Sequence, residues 1–378
     1  MTRSRRSVRR SIAWSVPLAT AAVIGAAVAV PMTAAAGTPS LGSTTPEALL
    51  DAVRSADVTH LSGQVEETAR LGLPDLPGQD DAASLSWQTL VTGTHTANIA
   101  VDGPQRQRLA LLGTLAESDV VHNGSDVWTY ASSTREATHV VLPADLTDGA
   151  GTTQSPNPDD PMNATPLGAA QHLLAAITPT TGVGMAENTR VAGQDAYALV
   201  LTPKQADSTI GRVVIAVDAN RYIPLRVQVF GTGAPAEPVF ETGFTSISYD
   251  RPSAATFDFT VPAGATVSTR DMSTEAGQPD SQADPAAVPP EPTVRGSGWT
   301  SVVEVPAGPD ALAALTQGGI GTERDGSSTE LLDRLLTVQP NGDRLLRTAL
   351  VNVLLTSDGR VFAGAVQPSV LQQASATR

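Results

Sequence analysis

The sequence predicts a mainly β protein of the α+β class: an antiparallel sheet curled around two or three helices, followed by a small α+β unit. Three observations predict it. Short stretches of alternating apolar and polar residues recur along the chain, separated by Asn-Gly, Asp-Gly and similar turn pairs. Only two segments of this region open with strong helix-start signals. A Pro-rich, polar stretch at 271–296 then interrupts the pattern, and a chain of 378 residues with 41% hydrophobic content has the length and apolar surface for about two domains with real cores.

The N-terminus stands apart from this pattern. Residues 1–36 begin MTRSRRSVRR, run through an apolar stretch and end Ala34-Ala35-Ala36, which is the layout of a signal peptide. Ile12 to Ala36 also exceeds the ~20 residues that span a bilayer, so an uncleaved membrane anchor is the competing reading. Ser4-Arg5-Arg6-Ser7-Val8 partly resembles a twin-arginine signal, but Val8 and Arg9 stand where bulky apolar residues are expected. On either reading the rest of the chain lies outside the cytoplasm. The chain has no cysteine, which removes disulfides, thiolate metal sites and a lipidated N-terminal cysteine.

The two helix starts are alike. Thr45-Pro46 and Thr165-Pro166 each place a capping hydroxyl before a proline at the first helical position. Leu49, Leu50, Val53 and Ala56 form one face of the first helix, and Leu167, Ala170, Leu173, Leu174 and Ile177 one face of the second. Strands are expected from Leu61, through Leu85, Trp87, Thr89 and Val91, and through Ala97, Ile99 and Val101 to an Asp102-Gly103 turn, with Leu109 and Leu111 beyond it. In His122–Pro143, Asn123-Gly124 reads as a tight hairpin turn whose two residues both tolerate positive φ. Trp128 and Tyr130 follow on one face of the next strand. In a chain with 4% aromatic residues, that pair either fills a core or lines a surface touched by something apolar.

Further along, Ala144–Pro166 reads as a surface loop, and Tyr197–Leu201 leads into a long hairpin turning at Asp218-Ala219-Asn220. PVFETGFTSISYD and TFDFTVPAG add strands. After the 271–296 linker, Trp299–Val305 reads as a strand, and Asp310–Thr316 and Thr329–Leu336 as short helices. Arg344–Leu355 pairs through Ser357-Asp358-Gly359 with Arg360–Val366.

Composition excludes some partners and nominates no chemistry. The formal net charge is −14, and the arginine-rich N-terminus makes the remainder more acidic still, the wrong sign for nucleic acid. His60, His95, His122, His139 and His172 show no metal-binding spacing. There is no G-x-S-x-G elbow, GVGMAE lacks the third glycine of a dinucleotide loop, and Asp80-Asp81 and Asp159-Asp160 lack calcium-loop spacing. The expectation is therefore a non-enzyme without metal or cofactor.

NGSDVWTYASSTREATHV resembles the hairpin of the superfamily that contains the periplasmic lipoprotein carrier LolA and the N-terminal domain of RseB (MucB). PEALLDAVRSADVTHLSGQVEETA, VAGQDAYALVLTPK, RYIPLRVQVF and SAATFDFTVPAGATV resemble the family's other segments in the family's order, over residues 44–268. The resemblance implies a half-open antiparallel β-barrel enclosing lid or plug helices, with a concave face that holds acyl chains. In the family an arginine directly before a proline bonds the lid shut. Here the matching stretch is Asp102-Gly103-Pro104, with Arg106 and Arg108 nearby but out of place, which puts that gating cycle in doubt. GSGWTSVVEVPAG and DGRVFAGAV are faintly similar to the second domain of RseB.

On this reading residues 1–36 are a signal peptide or anchor, 37–270 the half-barrel, 271–296 a linker and 297–378 a small α+β domain. The expected function is extracytoplasmic and non-catalytic: lipid or lipoprotein acyl chains bound by Trp87, Ile99, Leu111, Trp128 and Tyr130 on the sheet and by Leu50, Val53 and Leu174 on the helices. The alternative is an RseB-like regulator that meets a membrane protein partner, an anti-sigma factor, through its C-terminal domain.

Overall fold

The computed structural model describes residues 38–56, 58–73, 92–113, 116–143, 165–175, 179–233, 237–272, 292–306 and 335–377. The N-terminal segment 1–36, the strand expected at Leu85–Val91 with Trp87, most of the 144–166 loop and nearly all of the two helices expected between 310 and 336 lie outside these residues.

Among the described residues twelve strands form the main sheet. In chain order they are β1 (His60–Arg70), β2 (Thr92–Asp102), β3 (Arg106–Leu112), β4 (Glu117–Asn123), β5 (Asp126–Ala131), β6 (Glu136–Val141), β7 (Thr181–Val191), β8 (Gln194–Pro203), β9 (Ile210–Asp218), β10 (Pro224–Gly231), β11 (Phe240–Ser248) and β12 (Thr266–Asp271). Their order in space is β12-β6-β5-β4-β3-β2-β1-β11-β10-β9-β8-β7, so among the described residues β12 and β7 are the outermost strands and the sheet does not close into a barrel. Every pairing is antiparallel except β12 with β6. Four pairings separate β11 from β7, which would put them ~19 Å apart in a flat sheet. Their backbones nevertheless approach within 8 Å between Cα atoms, so the sheet curls strongly here.

The hairpins follow the turn residues. Gly103 closes β2–β3 with φ +78°, as the Asp-Gly signal predicts. The β4–β5 turn differs by one residue from expectation. Asn123 pairs with Asp126, so the two-residue loop is Gly124-Ser125 and Gly124 carries the positive φ of 66°. Glycine first in a two-residue loop is the pattern of a II′ turn, and Asn123 stays in the ladder. At the β9–β10 turn, Asp218 Oδ1 accepts from the backbone N–H groups of Asn220 and Arg221, both at 2.8 Å.

Helices α1 (Pro46–Arg54) and α2 (Pro166–Ala175) begin where the Thr-Pro pairs place them. Thr45 Oγ1 accepts from Ala48 N and Thr165 Oγ1 from Gly168 N, each at 3.2 Å. Leu49, Leu50, Ala170 and Leu174 from these helices pack with Leu199, Leu201, Val213, Ile215, Val227 and Val229 of β8–β10 in one buried cluster.

A second sheet of six strands has the order β13 (Thr293–Arg295), β14 (Val302–Pro306), β18 (Arg360–Gly364), β17 (Asn352–Leu355), β16 (Arg344–Leu346) and β15 (Thr337–Val338). β13 falls inside the stretch expected to be linker, where Val294 pairs with Val303. Helix α3 (Pro368–Ala376), absent from the sequence reading, seats Leu371 among Val302, Leu345, Leu354 and Phe362. The two sheets are joined directly. Thr209 N donates to Ala365 O at 3.0 Å, Ala349 N to Leu71 O at 2.9 Å, and Trp299 Nε1 to Thr181 Oγ1 at 2.8 Å. Leu350 and Trp299 thereby join the helix-covered cluster.

Candidate ligand-binding face

Register assigns every side chain of the large sheet's first half to one of two faces. Trp128 pairs with Val121, Val121 with Arg108 and Arg108 with Ala100. Ile99 is the neighbour of Ala100 and therefore points the other way. Leu111 pairs with Ala97, which shares the face of Ile99. Trp128 and Tyr130 thus lie on the opposite side of the sheet from Ile99 and Leu111. The single surface expected from these residues is corrected to two. Alternation within each strand was legible, but which faces of β2, β3 and β5 coincide depends on a register that the strand sequences do not state.

The aromatic side is covered by the chain itself. After β11, residues 249–265 form a strap across the sheet and touch one strand after another. Tyr249 donates its hydroxyl to Asp218 Oδ2 at 2.6 Å, and burial with this hydrogen bond raises the phenol pKa. Arg251 Nε meets Asp102 Oδ1 of β2 at 3.0 Å, and Asp102 Oδ2 also receives Arg106 at 2.6 Å. Arg108 of β3 binds Asp119 of β4 at 3.0 Å and donates to Thr256 O of the strap at 3.3 Å. Phe257 is 1% exposed. Phe259 stacks on Trp128 of β5 at 5.0 Å, and Trp128 stacks on His139 of β6 at 4.2 Å. Thr266 then pairs with Glu136 at the sheet edge. Trp128 and Tyr130 sit against Phe259 of the strap, and both arginines near Gly103 serve this face. His139 bonds Asp126 at 2.6 Å, but the Ser125 hydroxyl turns to Asp126 rather than to the imidazole, so no nucleophile–base pair forms. Among the described residues no group of three or more acidic or histidine side chains could hold a metal.

The other face carries the helices. One row crosses the sheet through Met185, Leu199, Ile215, Val227, Thr242, Glu67 and His95, each paired with the next. It is apolar beneath α1 and α2 and becomes polar at β11, β1 and β2. Leu50, Val53 and Leu174 lie on this side with the helix cluster; Ile99 lies on it further along with Leu61, Val65 and Leu109, and Leu111 shares the side by register. Helix α2, PLGAAQHLLA, has no acidic or basic residue apart from a histidine, so its apolar character extends well round the helix.

Glu67 is the exception on this face. It is 5% exposed, and its Oε1 has no hydrogen-bond partner. Burial pushes its carboxyl pKa up to about 8. The sequence reading missed it, although the signal was present: Leu61, Val65 and Ala69 alternate as a buried face, and Glu67 falls on their side.

The fold and site define an open, curled antiparallel sheet with a strap on one face and two helices on the other. No protein-family model and no curated protein sequence matches the chain. Among solved structures it is similar to MucB, with a TM-score of 0.40 and 14% identity over 88% of this chain and 96% of that one. The MucA/MucB complex from Pseudomonas aeruginosa gives a TM-score of 0.38 and 14% identity, covering 86% of this chain and 93% of that one. A LolA superfamily protein from Nitrosomonas europaea gives a TM-score of 0.23 and 10% identity, covering 57% of this chain and 99% of that one. Likeness at this level fixes no function.

Proposed function

We propose that this chain is an extracytoplasmic, non-catalytic protein that holds lipid or lipoprotein acyl chains against the helix-bearing face of its large sheet. The observation that carries the reading is the cover of that face: α1 and an α2 without acidic residues, packed on side chains such as Leu199, Ile215 and Val227. A cover bound by apolar contacts can give way to an apolar chain without breaking an ion pair. Burying about fifteen methylenes at ~0.8 kcal/mol each gains on the order of 12 kcal/mol, enough to compensate for displaced helix contacts. The leader-like residues 1–36 support the location outside the cytoplasm. Ile99, Leu111, Leu50, Val53 and Leu174 are the residues proposed to line the site, whereas Trp128 and Tyr130 belong to the strap side. Native mass spectrometry of the full chain purified without added lipid tests the reading. Adducts with masses of acyl-chain lipids, reduced by Val53→Glu in a protein of unchanged circular dichroism, are expected. A bare protein that also takes up no lipid from mixed vesicles would overturn it.

A second reading, as a regulator that binds a membrane protein, is favoured by the outer side of the small sheet. There Val294, Val303 and Val305 are 64%, 39% and 36% exposed on neighbouring strands.

A further inference from the structure

We propose that Glu67 is the polar anchor of the helix-bearing face, and that the ligand held there is an apolar chain whose polar end donates N–H hydrogen bonds, as a long-chain amine does. This rests on the acyl-chain reading of that face and deepens it to a class of head group.

Four observations converge. Glu67 stands one strand beyond Thr242, where the row crossing the sheet changes from apolar to polar, so a chain lying along Leu199, Ile215 and Val227 and past Thr242 would bring its end to this carboxyl. Its Oε1 is buried without a partner, which is costly for any carboxyl, charged or neutral, unless a donor arrives from elsewhere. The neighbouring strands do not provide one. On β2 the facing titratable group is His95, whose Nε2 is engaged with Thr92 O at 2.6 Å. On β11 the facing residue is Thr242, and the described residues of this face of β11 include no titratable group.

The fourth observation is the placement of cations. Among the described residues of β1, β2, β3 and β11, no arginine or lysine lies on this face. Arg106 and Arg108 are committed to Asp102 and Asp119 on the other side. A fatty-acid carboxylate would therefore meet an acid and no counter-ion, in a chain of formal net charge −14. An amine meets the complementary group. Because burial holds the Glu67 carboxyl protonated up to about pH 8, capture of an ammonium head near neutral pH releases its proton.

The test is isothermal titration calorimetry of the full chain at neutral pH with dodecylamine and with dodecanoate, using wild type, Glu67→Gln and Glu67→Leu. In wild type, dodecylamine is expected to bind at least about tenfold more tightly than dodecanoate, and Glu67→Leu should bring the two within about twofold. Proton release, read from the dependence of the binding enthalpy on buffer ionisation, should accompany dodecylamine binding in wild type and be absent in Glu67→Gln. Both variants should melt no lower than wild type, because an unsatisfied carboxyl is a burden to the unliganded fold. Equal affinities, a ratio unchanged by Glu67→Leu, or variants that melt well below wild type would overturn the head-group assignment and leave the acyl-chain reading standing. Failure of both probes to bind would overturn the acyl-chain reading itself, and this assignment with it.

Discussion

The two faces of the large sheet are covered in different ways. On one, the strap is fastened by oriented polar contacts: Arg251 on Asp102, Arg108 on Thr256 O, and Phe259 wedged at the Trp128–His139 stack. On the other, α1 and α2 rest on Leu, Ile and Val side chains, and the buried acid of that face, Glu67, is left unsatisfied. Directional contacts are lost all at once when their geometry is disturbed, whereas apolar contacts can be exchanged for others of the same kind. The first face is therefore built to stay shut, and the second can trade one apolar partner for another.

The largest test of that contrast is Phe257→Ala. Removing this fully buried ring from the strap should cost about 3–5 kcal/mol, read from urea denaturation. A cost under about 1 kcal/mol would show that the strap is not a permanent seal. The next effect is a pH slope at Glu67. Its folded-state pKa of about 8 lies above the ordinary carboxyl value of 4.5, so across that window the folded protein holds a proton that the unfolded chain releases. Folding is then opposed increasingly as pH rises from about 4.5 to about 8, and wild type should lose a few kcal/mol relative to Glu67→Gln across the range. Parallel pH–stability curves for the two proteins would place the carboxyl in water. The smallest effect belongs to Thr45→Ala, which removes the α1 cap and should cost about 1 kcal/mol. Despite this small cost it should speed exchange of a bound alkyl probe more than Phe257→Ala does, if only the helix side opens.

Local chemistry made much of the molecule legible. Thr45-Pro46 and Thr165-Pro166 marked both helix starts, Asp102-Gly103 and Ser357-Asp358-Gly359 marked turns, and alternation located β2, β5 and β8. Long-range placement was not legible. Trp128 and Ile99 each alternate correctly within their own strands, but their opposite orientation follows from ladders whose register comes from tertiary pairing. The strap was read as a strand because TFDFTVP alternates like one, although Phe257 and Phe259 pack onto a sheet face instead of pairing in it. Glu67 was overlooked for a related reason: a single acid in an alternating strand reads as exposed until its neighbours' parity is counted.

The parallel pairing of β12 with β6 has a further consequence, in time. Thr138 and Ser268, which meet across that pair, are 130 residues apart in the chain. Closing so long a loop is entropically slow, and it can reward the chain only after β1 to β6 have formed a surface to cross. The strap should accordingly settle among the last events of folding, with Trp128 exposed to solvent until it does. During that interval the aromatic side, and not only the helix side, offers apolar surface, so a newly made chain would be most prone to association before its strap has crossed.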